Sequence, residues 1–257
     1  MRSERLQFKN RDGLSLAARF HTPDDGAPPR GSAIFAHCFT CSKDIPAAAR
    51  IATRLAKRGF SVLRFDFTGL GSSDGDFANT NFSSNVQDLE DAAAHLVEEG
   101  HPPNLLVGHS LGGAAVLAAA PRIEGIEAVV SIGAPASPAH VVENFSAALE
   151  TIHEQGAAEV LLAGRKFTIK KQFLDDIEER QGKGIGDLDA ALLVMHAPGD
   201  RTVPIDEAQK IYLSARGFKS FVTLADADHL LTRQEDAEYA AEVITAWSSR
   251  YLRPEED

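Results

Sequence analysis

The stretch that most constrains this chain is Leu105-Leu106-Val107-Gly108-His109-Ser110-Leu111-Gly112-Gly113, which runs directly into Ala114-Ala115-Val116-Leu117-Ala118-Ala119-Ala120. An apolar run, a serine bracketed by glycines and an alanine-rich run read as a strand, a very tight turn and a helix. A serine in such a turn takes a strained backbone conformation that lifts its Oγ off the end of the sheet, and neighbours bearing a Cβ would collide there. Gly108 and Gly112 remove that obstacle, while Gly113 and Ala114 let the helix sit close on its strand. The bland reading is a strand-to-helix turn that happens to contain serine. The sharper one is a turn built to present a nucleophile, and the rest of the chain decides between them.

Before that stretch, Leu6-Gln7-Phe8 and Leu14 to Phe20 read as strands joined around Asp12-Gly13, a hairpin signal. A polar loop, Asp24 to Pro29, leads to Ala33-Ile34-Phe35-Ala36, a short apolar run of the kind buried on both faces of a sheet. It ends in His37-Cys38-Phe39-Thr40-Cys41-Ser42. A helix from about Ile45 to Arg58 is expected to close at Gly59, followed by the strand Ser61 to Asp66 and a helix from about Ser83 to Glu99. After the serine turn comes the strand Ala128 to Ile132. Strict alternation then stops between Pro135 and Ala191. That interval reads as a helix over roughly Ala139 to Glu154, two short strands, Glu159 to Leu162 and Lys166 to Ile169, and a charged helix near Lys171 to Arg180. A glycine-rich exit, Gly182 to Gly186, completes it. It reads as a cap of about 136–190 inserted into a single domain of 1–257, placed to lie over the site. Alternation resumes with Leu192 to His196, a helix from Asp206 to Arg216, the strand Ser220 to Leu224, and a last helix from about Glu235 to Tyr251. The expected fold class is α/β: a mostly parallel central sheet with helices on both faces.

In such sheets ligands bind at the carboxyl ends of the strands, and Phe39, Ser110, Asp200 and His229 all fall just past a strand. A serine hydroxyl is a poor nucleophile at neutral pH and needs a base to take its proton, with a carboxylate to hold that base in one tautomer. Gly-x-Ser-x-Gly between strand and helix is the nucleophile elbow of the α/β-hydrolase fold, where the chain order is Ser, then Asp or Glu, then His. Asp200 and His229 satisfy that order, although Pro198-Gly199-Asp200 is also good turn chemistry by itself. Of nine histidines, His37, His109, His196 and His229 lie near strand ends, and only His229 lies beyond the last strand. Asp226 and Asp228 are fallback carboxylates. The oxyanion of a tetrahedral intermediate needs two backbone N–H donors, expected from Leu111 and from Phe39 in the loop after the Ala33–Ala36 strand.

At this point the chain resembles an α/β-hydrolase of the esterase or serine-aminopeptidase-like group, and is most similar to the hydrolase half of bacterial proteins that fuse this domain to an OsmC-like domain. The residues that carry the likeness are Ala36 to Asp44, Arg64 to Gly71, Asp76 to Asn85, the elbow, and Ile132-Gly133-Ala134-Pro135. The resemblance implies a triad of Ser110, Asp200 and His229 and an oxyanion hole at Phe39 and Leu111; the expected acyl-enzyme chemistry needs no cofactor. The sequence runs to Asp257, so an OsmC-like domain is expected only in related longer chains, with a shorter natural form and a truncated form both left open.

Cys38 and Cys41 stand where related esterases usually have glycine. They read as small buried packing residues, as a redox dithiol, or as half of a metal site. Gly69 to Gly75 is a poor dinucleotide loop, since its third glycine is one residue late, and no His-Glu-x-x-His or other metal spacing occurs. A formal charge of −11 argues against nucleic acid and anionic membranes. The chain opens without a signal-peptide pattern, and two cysteines make no disulfide framework, so a reducing cytoplasm is the expected setting. The expected activity is hydrolysis of small to medium acyl esters, a carboxylesterase. Its pocket is expected from His37, His109, Val142, Phe145, Leu161, Leu162 and Phe167. Thioesterase and amidase or peptidase chemistry on the same triad are alternatives, as is a redox-responsive partner module acting through Cys38 and Cys41. Oligomeric state is not legible.

Overall fold

A computed structural model describes residues 1–24, 29–180 and 188–252. The glycine-rich exit over Gly182 to Gly186 lies outside the described residues. Eight strands form one sheet in the order β1-β2-β4-β3-β5-β6-β9-β10. They are β1 Arg2–Lys9, β2 Ser15–Thr22, β3 Gly31–Ala36, β4 Phe60–Phe65, β5 Leu105–His109, β6 Ala128–Ile132, β9 Ala191–His196 and β10 Lys219–Thr223. The hairpin of β1 and β2 is antiparallel and joins β4 antiparallel, and every pairing from β4 to β10 is parallel. The sheet is therefore mostly parallel.

The parallel strands are apolar along their whole length because both faces are covered. On one face, α2 (Phe82–Glu98) and α3 (Leu111–Ala119) pack with α6 (Ile205–Ser214) on a cluster that includes Leu106, Val129 and Leu192. On the other, α1 (Pro46–Lys57) and α7 (Gln234–Ser248) cover Phe35, Val107, Val130 and Leu193. An Asn81–Ser84 capping box starts α2, satisfying donors that a bare helix end would leave open.

Between β6 and β9, 3-10 turns over Pro138–Ala148 lead to α4 (Leu149–Gln155), the antiparallel hairpin of β7 (Ala157–Leu162) and β8 (Arg165–Lys170), and α5 (Lys171–Glu179). The single helix expected over Ala139 to Glu154 is not formed. Phe145 leaves the helical region at φ −138°, ψ 28°, and turns its ring into the core, where it is 4% exposed. Burial of one aromatic ring thus outweighs a continuous helix. Phe145, Val160, Leu162, Phe167 and Phe173 join the same apolar cluster as α2 and α3, so the insertion is packed on that face of the sheet. Its last helix is tied to the start of α2: the Ser83 N–H donates to Asp176 at 2.9 Å and Asn81 to Gln172 at 3.0 Å.

Among the described residues no helix is long and apolar enough to cross a membrane.

Candidate active site

Ser110 sits between β5 and α3 with φ 56° and ψ −126°, a conformation that costs a non-glycine residue on the order of 1–3 kcal/mol. The glycines around it explain how the turn closes. A Cβ on Gly108 would lie 2.3 Å from the carbonyl oxygen of Gly112. One on Gly112 would lie 2.4 Å from that of His37, and one on Gly113 would lie 2.5 Å from the Cβ of Ala134. None of these positions admits a side chain.

The turn delivers Ser110 to a histidine and a carboxylate from distant parts of the chain. Its Oγ lies 3.0 Å from His229 Nε2, and His229 Nδ1 lies 2.7 Å from Asp200 Oδ2. A carboxylate only accepts, so Nδ1 carries the proton and Nε2 faces the serine as acceptor. The other oxygen of Asp200 accepts the N–H groups of Thr202 at 2.8 Å and Val203 at 2.9 Å. Burial pushes this carboxyl up, but the bonds from His229, Val203 and Thr202 outweigh it and hold its pKa below the ordinary value. Gly133, at φ +55°, leaves the space behind the pair: a Cβ there would be 3.5 Å from both Asp200 Oδ2 and His229 Nδ1. Of the fallback carboxylates, Asp228 is engaged by the N–H of Thr232 at 2.9 Å, and Asp226 takes a left-handed turn at φ 58°.

The first turn of a helix has no carbonyl four residues back to receive its N–H groups, and Leu111 opens α3 directly after Ser110. The close approach of Gly112 to Ala36 and His37 sets this turn against the exit of β3, from which Phe39 follows. The Phe39 ring packs against Phe77 at 5.7 Å and against Phe173 of α5 at 5.8 Å. Phe77 meets Phe167 at 4.8 Å, and Phe173 meets Phe145 at 6.2 Å. An aromatic cluster thus links the loop after β3 to the insertion.

Several expected pocket residues are placed elsewhere. His37 and His109 are each 1% exposed. His109 instead bonds through Nε2 to the carbonyl of His229, and His37 through Nδ1 to that of Cys38. Burial is the main cause that lowers both, His109 to about 4. Leu161 is 69% exposed, because alternation along β7 turns Val160 and Leu162 inward and the residue between them outward. Phe145 and Phe167 are packed into the core, and Val142 lies half-buried against it. His196, also near a strand end, is buried with lowered pKa and donates to the Val203 carbonyl at 2.8 Å.

Cys38 and Cys41 are joined in a disulfide, with a Cα–Cα distance of 5.4 Å. This corrects the readings as free packing residues and as half of a metal site, and removes the cysteine-based support for a reducing compartment. The geometric cause is the turn between them. Thr40 takes φ 59°, and the N–H of Cys41 reaches the carbonyl of Cys38 at 3.2 Å, which brings the Cα atoms into bonding range. Among the described residues no group of three or more His, Cys, Asp or Glu is placed to hold a metal ion.

Residue-type reasoning also missed a buried support. Asp66, fully buried, accepts the backbone N–H of Lys43 at 2.6 Å, its Nζ at 2.8 Å and the N–H of Ser72 at 2.9 Å. The glycine loop resembling a dinucleotide site closes here, since a Cβ on Gly71 would fall 2.2 Å from the Asp66 carboxyl.

A sheet of this order with a serine, histidine and aspartate converging beyond its strand ends is the architecture of a hydrolase built on the nucleophile elbow. A model of the alpha/beta hydrolase family matches residues 33–242, and the chain belongs to that family. The esterase domain of a protein from Rhodothermus marinus is similar, with 42% identity and a TM-score of 0.78, over 98% of this chain and 100% of that one. Est1E from Butyrivibrio proteoclasticus, solved with ferulic acid bound, shares the fold at 18% identity and a TM-score of 0.81, over 96% and 99% of the two chains. The uncharacterized protein YfhR of Escherichia coli (strain K12) is 23% identical over 230 residues, 89% of this chain and 74% of its own.

Proposed function

We propose that this hydrolase is a serine carboxylesterase acting on small to medium acyl esters through an acyl-enzyme. The observation that carries the reading is the continuous hydrogen-bonded path from Ser110 Oγ through His229 to Asp200, at 3.0 and 2.7 Å. Ser110 attacks the ester carbonyl while His229 Nε2 takes its proton. Asp200 keeps the proton on Nδ1 and stabilises the imidazolium as it forms. The N–H groups of Leu111 and Phe39 receive the oxyanion, each donor being worth about 2.7–4 kcal/mol in the transition state. His229 then protonates the leaving alcohol, and water, deprotonated by the same nitrogen, clears the acyl group. The half-buried Phe39 ring, backed by Phe77 and Phe173, is the apolar candidate for the acyl side. The esterase name of the Rhodothermus marinus neighbour at 42% identity supports the ester over other acyl substrates.

Hydrolysis of a p-nitrophenyl series from acetyl to octanoyl tests this. Ser110→Ala is expected to lower kcat by at least about 10⁴-fold. Full turnover in that variant would end the proposal, and a preference for thioester or amide analogues would redirect it.

A further inference from the structure

The loop between β3 and α1 carries the proposed donor Phe39, and it is held at three places. At its start Gly112 presses on the carbonyls of Ala36 and His37, where a Cβ would approach to 2.5 and 2.4 Å. At its far end Asp66 receives the Lys43 N–H at 2.6 Å and the Lys43 Nζ at 2.8 Å. Between these anchors, the backbone of the Phe39–Thr40 turn is closed by the Cys38–Cys41 disulfide and one long backbone bond of 3.2 Å, while His37 Nδ1 bonds the Cys38 carbonyl at 2.8 Å and the Phe39 ring packs on Phe77 and Phe173. Thr40 is β-branched and sits at φ 59°, a conformation that such residues avoid unless the surroundings impose it. The covalent tie is therefore the one support of this turn that redox chemistry can remove. The two outer anchors confine any relaxation to the segment that presents Phe39.

We propose that Cys38–Cys41 is a redox switch on the hydrolase, opened by dithiols and closed by reoxidation, which controls the oxyanion donor at Phe39. This rests on the esterase reading above. Cys41 is half-buried while Cys38 is 5% exposed, so the incoming thiolate attacks the Cys41 sulfur. The S–S bond breaks, Cys38 leaves as thiolate and is protonated, and the reductant is held at Cys41 as a mixed disulfide. The second thiol of the reductant attacks its own sulfur in that bond and releases Cys41, which takes a proton. The protein gains two electrons and two protons, and the dithiol leaves as a cyclic disulfide. Released from the tie, Thr40 moves to negative φ and the Phe39 N–H turns away from the oxyanion position.

The test equilibrates the protein in mixtures of reduced and oxidised dithiothreitol, counts thiols by mass, and measures p-nitrophenyl acetate turnover. Reduction is expected to lower kcat roughly ten- to a hundredfold, up to the loss of one donor, with KM changed little and full recovery on reoxidation. Hydrogen exchange of the amides from His37 to Lys43 should quicken in the reduced form while the melting transition persists. The double variant Cys38→Ser with Cys41→Ser should sit at the lower rate and ignore dithiothreitol; if it does not fold, the wild-type titration decides. Fully reduced wild type that turns over with unchanged kcat overturns the switch. Oxidised protein with no Ser110-dependent turnover overturns the esterase reading, and the switch falls with it.

Discussion

His109 Nε2 lies 2.6 Å from the backbone carbonyl oxygen of His229, so the residue before the proposed nucleophile holds the loop of the proposed base. The carbonyl can only accept, which puts the proton of the neutral ring on Nε2. The rings of His109 and His229 also lie 5.1 Å apart. His109 is thus a positioning residue: it touches no reacting atom but sets the height of His229 above the sheet. His109→Phe, which keeps the ring and removes the donor, is expected to lower kcat about tenfold with KM little changed. A net hydrogen bond is worth about 1 kcal/mol and a tenfold rate change about 1.4. Steady-state kinetics on a p-nitrophenyl ester measure the split between kcat and KM.

Acid should destabilise the protein through its buried histidines. His109 has its pKa pushed down to about 4 by burial and the neighbouring His229, and His21 is pushed down to about 4 by burial and Arg64. A folded pKa below the unfolded one means that stability is whole above pH 6.5 and is lost as pH falls through about 4. His109 alone accounts for about 3 kcal/mol across that window. Asp88 works in the opposite sense. Burial raises its carboxyl to about 6 against the bonds from Thr68 and Asn10, so its contribution is present below about pH 4 and lost as pH rises through 6. Urea midpoints should therefore fall between pH 7 and 4.5, and Asp88→Asn should steepen that fall.

Two glycines near the site should respond very differently to alanine. At Gly112 the new Cβ would sit 2.4 Å from a backbone oxygen of His37, and neither β3 nor α3 can retreat from the sheet. Gly112→Ala is expected to cost more than about 3 kcal/mol and to shift α3 away from the loop bearing Phe39. At Gly133 the nearest atoms would be 3.5 Å away, so Gly133→Ala carries only the left-handed backbone cost of about 1–2 kcal/mol. Denaturant midpoints of the two variants separate steric collision from conformational preference.

The central strands and the Ser–Asp–His order were legible because each rests on a local pattern. β3, β5 and β6 are apolar runs buried on both faces, and Ser110, Asp200 and His229 each follow a strand. Much of what escaped depends on contacts between distant segments. Phe145 breaks an otherwise helical run because its ring finds Phe173 at 6.2 Å, which no window around residue 145 contains. The disulfide was one of several states allowed by a Cys-x-x-Cys spacing, and the positive φ of Thr40 that selects it is not written in that residue's type. His109 is a pocket candidate in the sequence only as a histidine near a strand end. Its bond to His229, 120 positions away, gives it another task. Leu161 is a different case, since the period-two alternation of β7 already turned it outward.

Lys43 and Asp66 should behave as a pair whose loss cannot be repaired by apolar substitution. Asp66 is 0% exposed and the Lys43 side chain 8%, so removing one partner leaves a buried charge and costs about 3–5 kcal/mol. Apolar replacement of both partners often recovers such a loss, but here the carboxylate also accepts the backbone N–H groups of Lys43 and Ser72. The Lys43 donor would stay buried and unpaired in Asp66→Leu with Lys43→Met, and the loop at Ser72 would lose its tie. The double variant should therefore remain at least about 2 kcal/mol less stable than wild type, while Lys43→Met alone should lose less than Asp66→Leu alone. The loop after β3 hangs on the same carboxylate, so Asp66→Asn should also lower kcat on a p-nitrophenyl ester more than it raises KM. A double-mutant cycle on denaturation, run beside the kinetics, separates the charge pairing from the anchoring of the backbone.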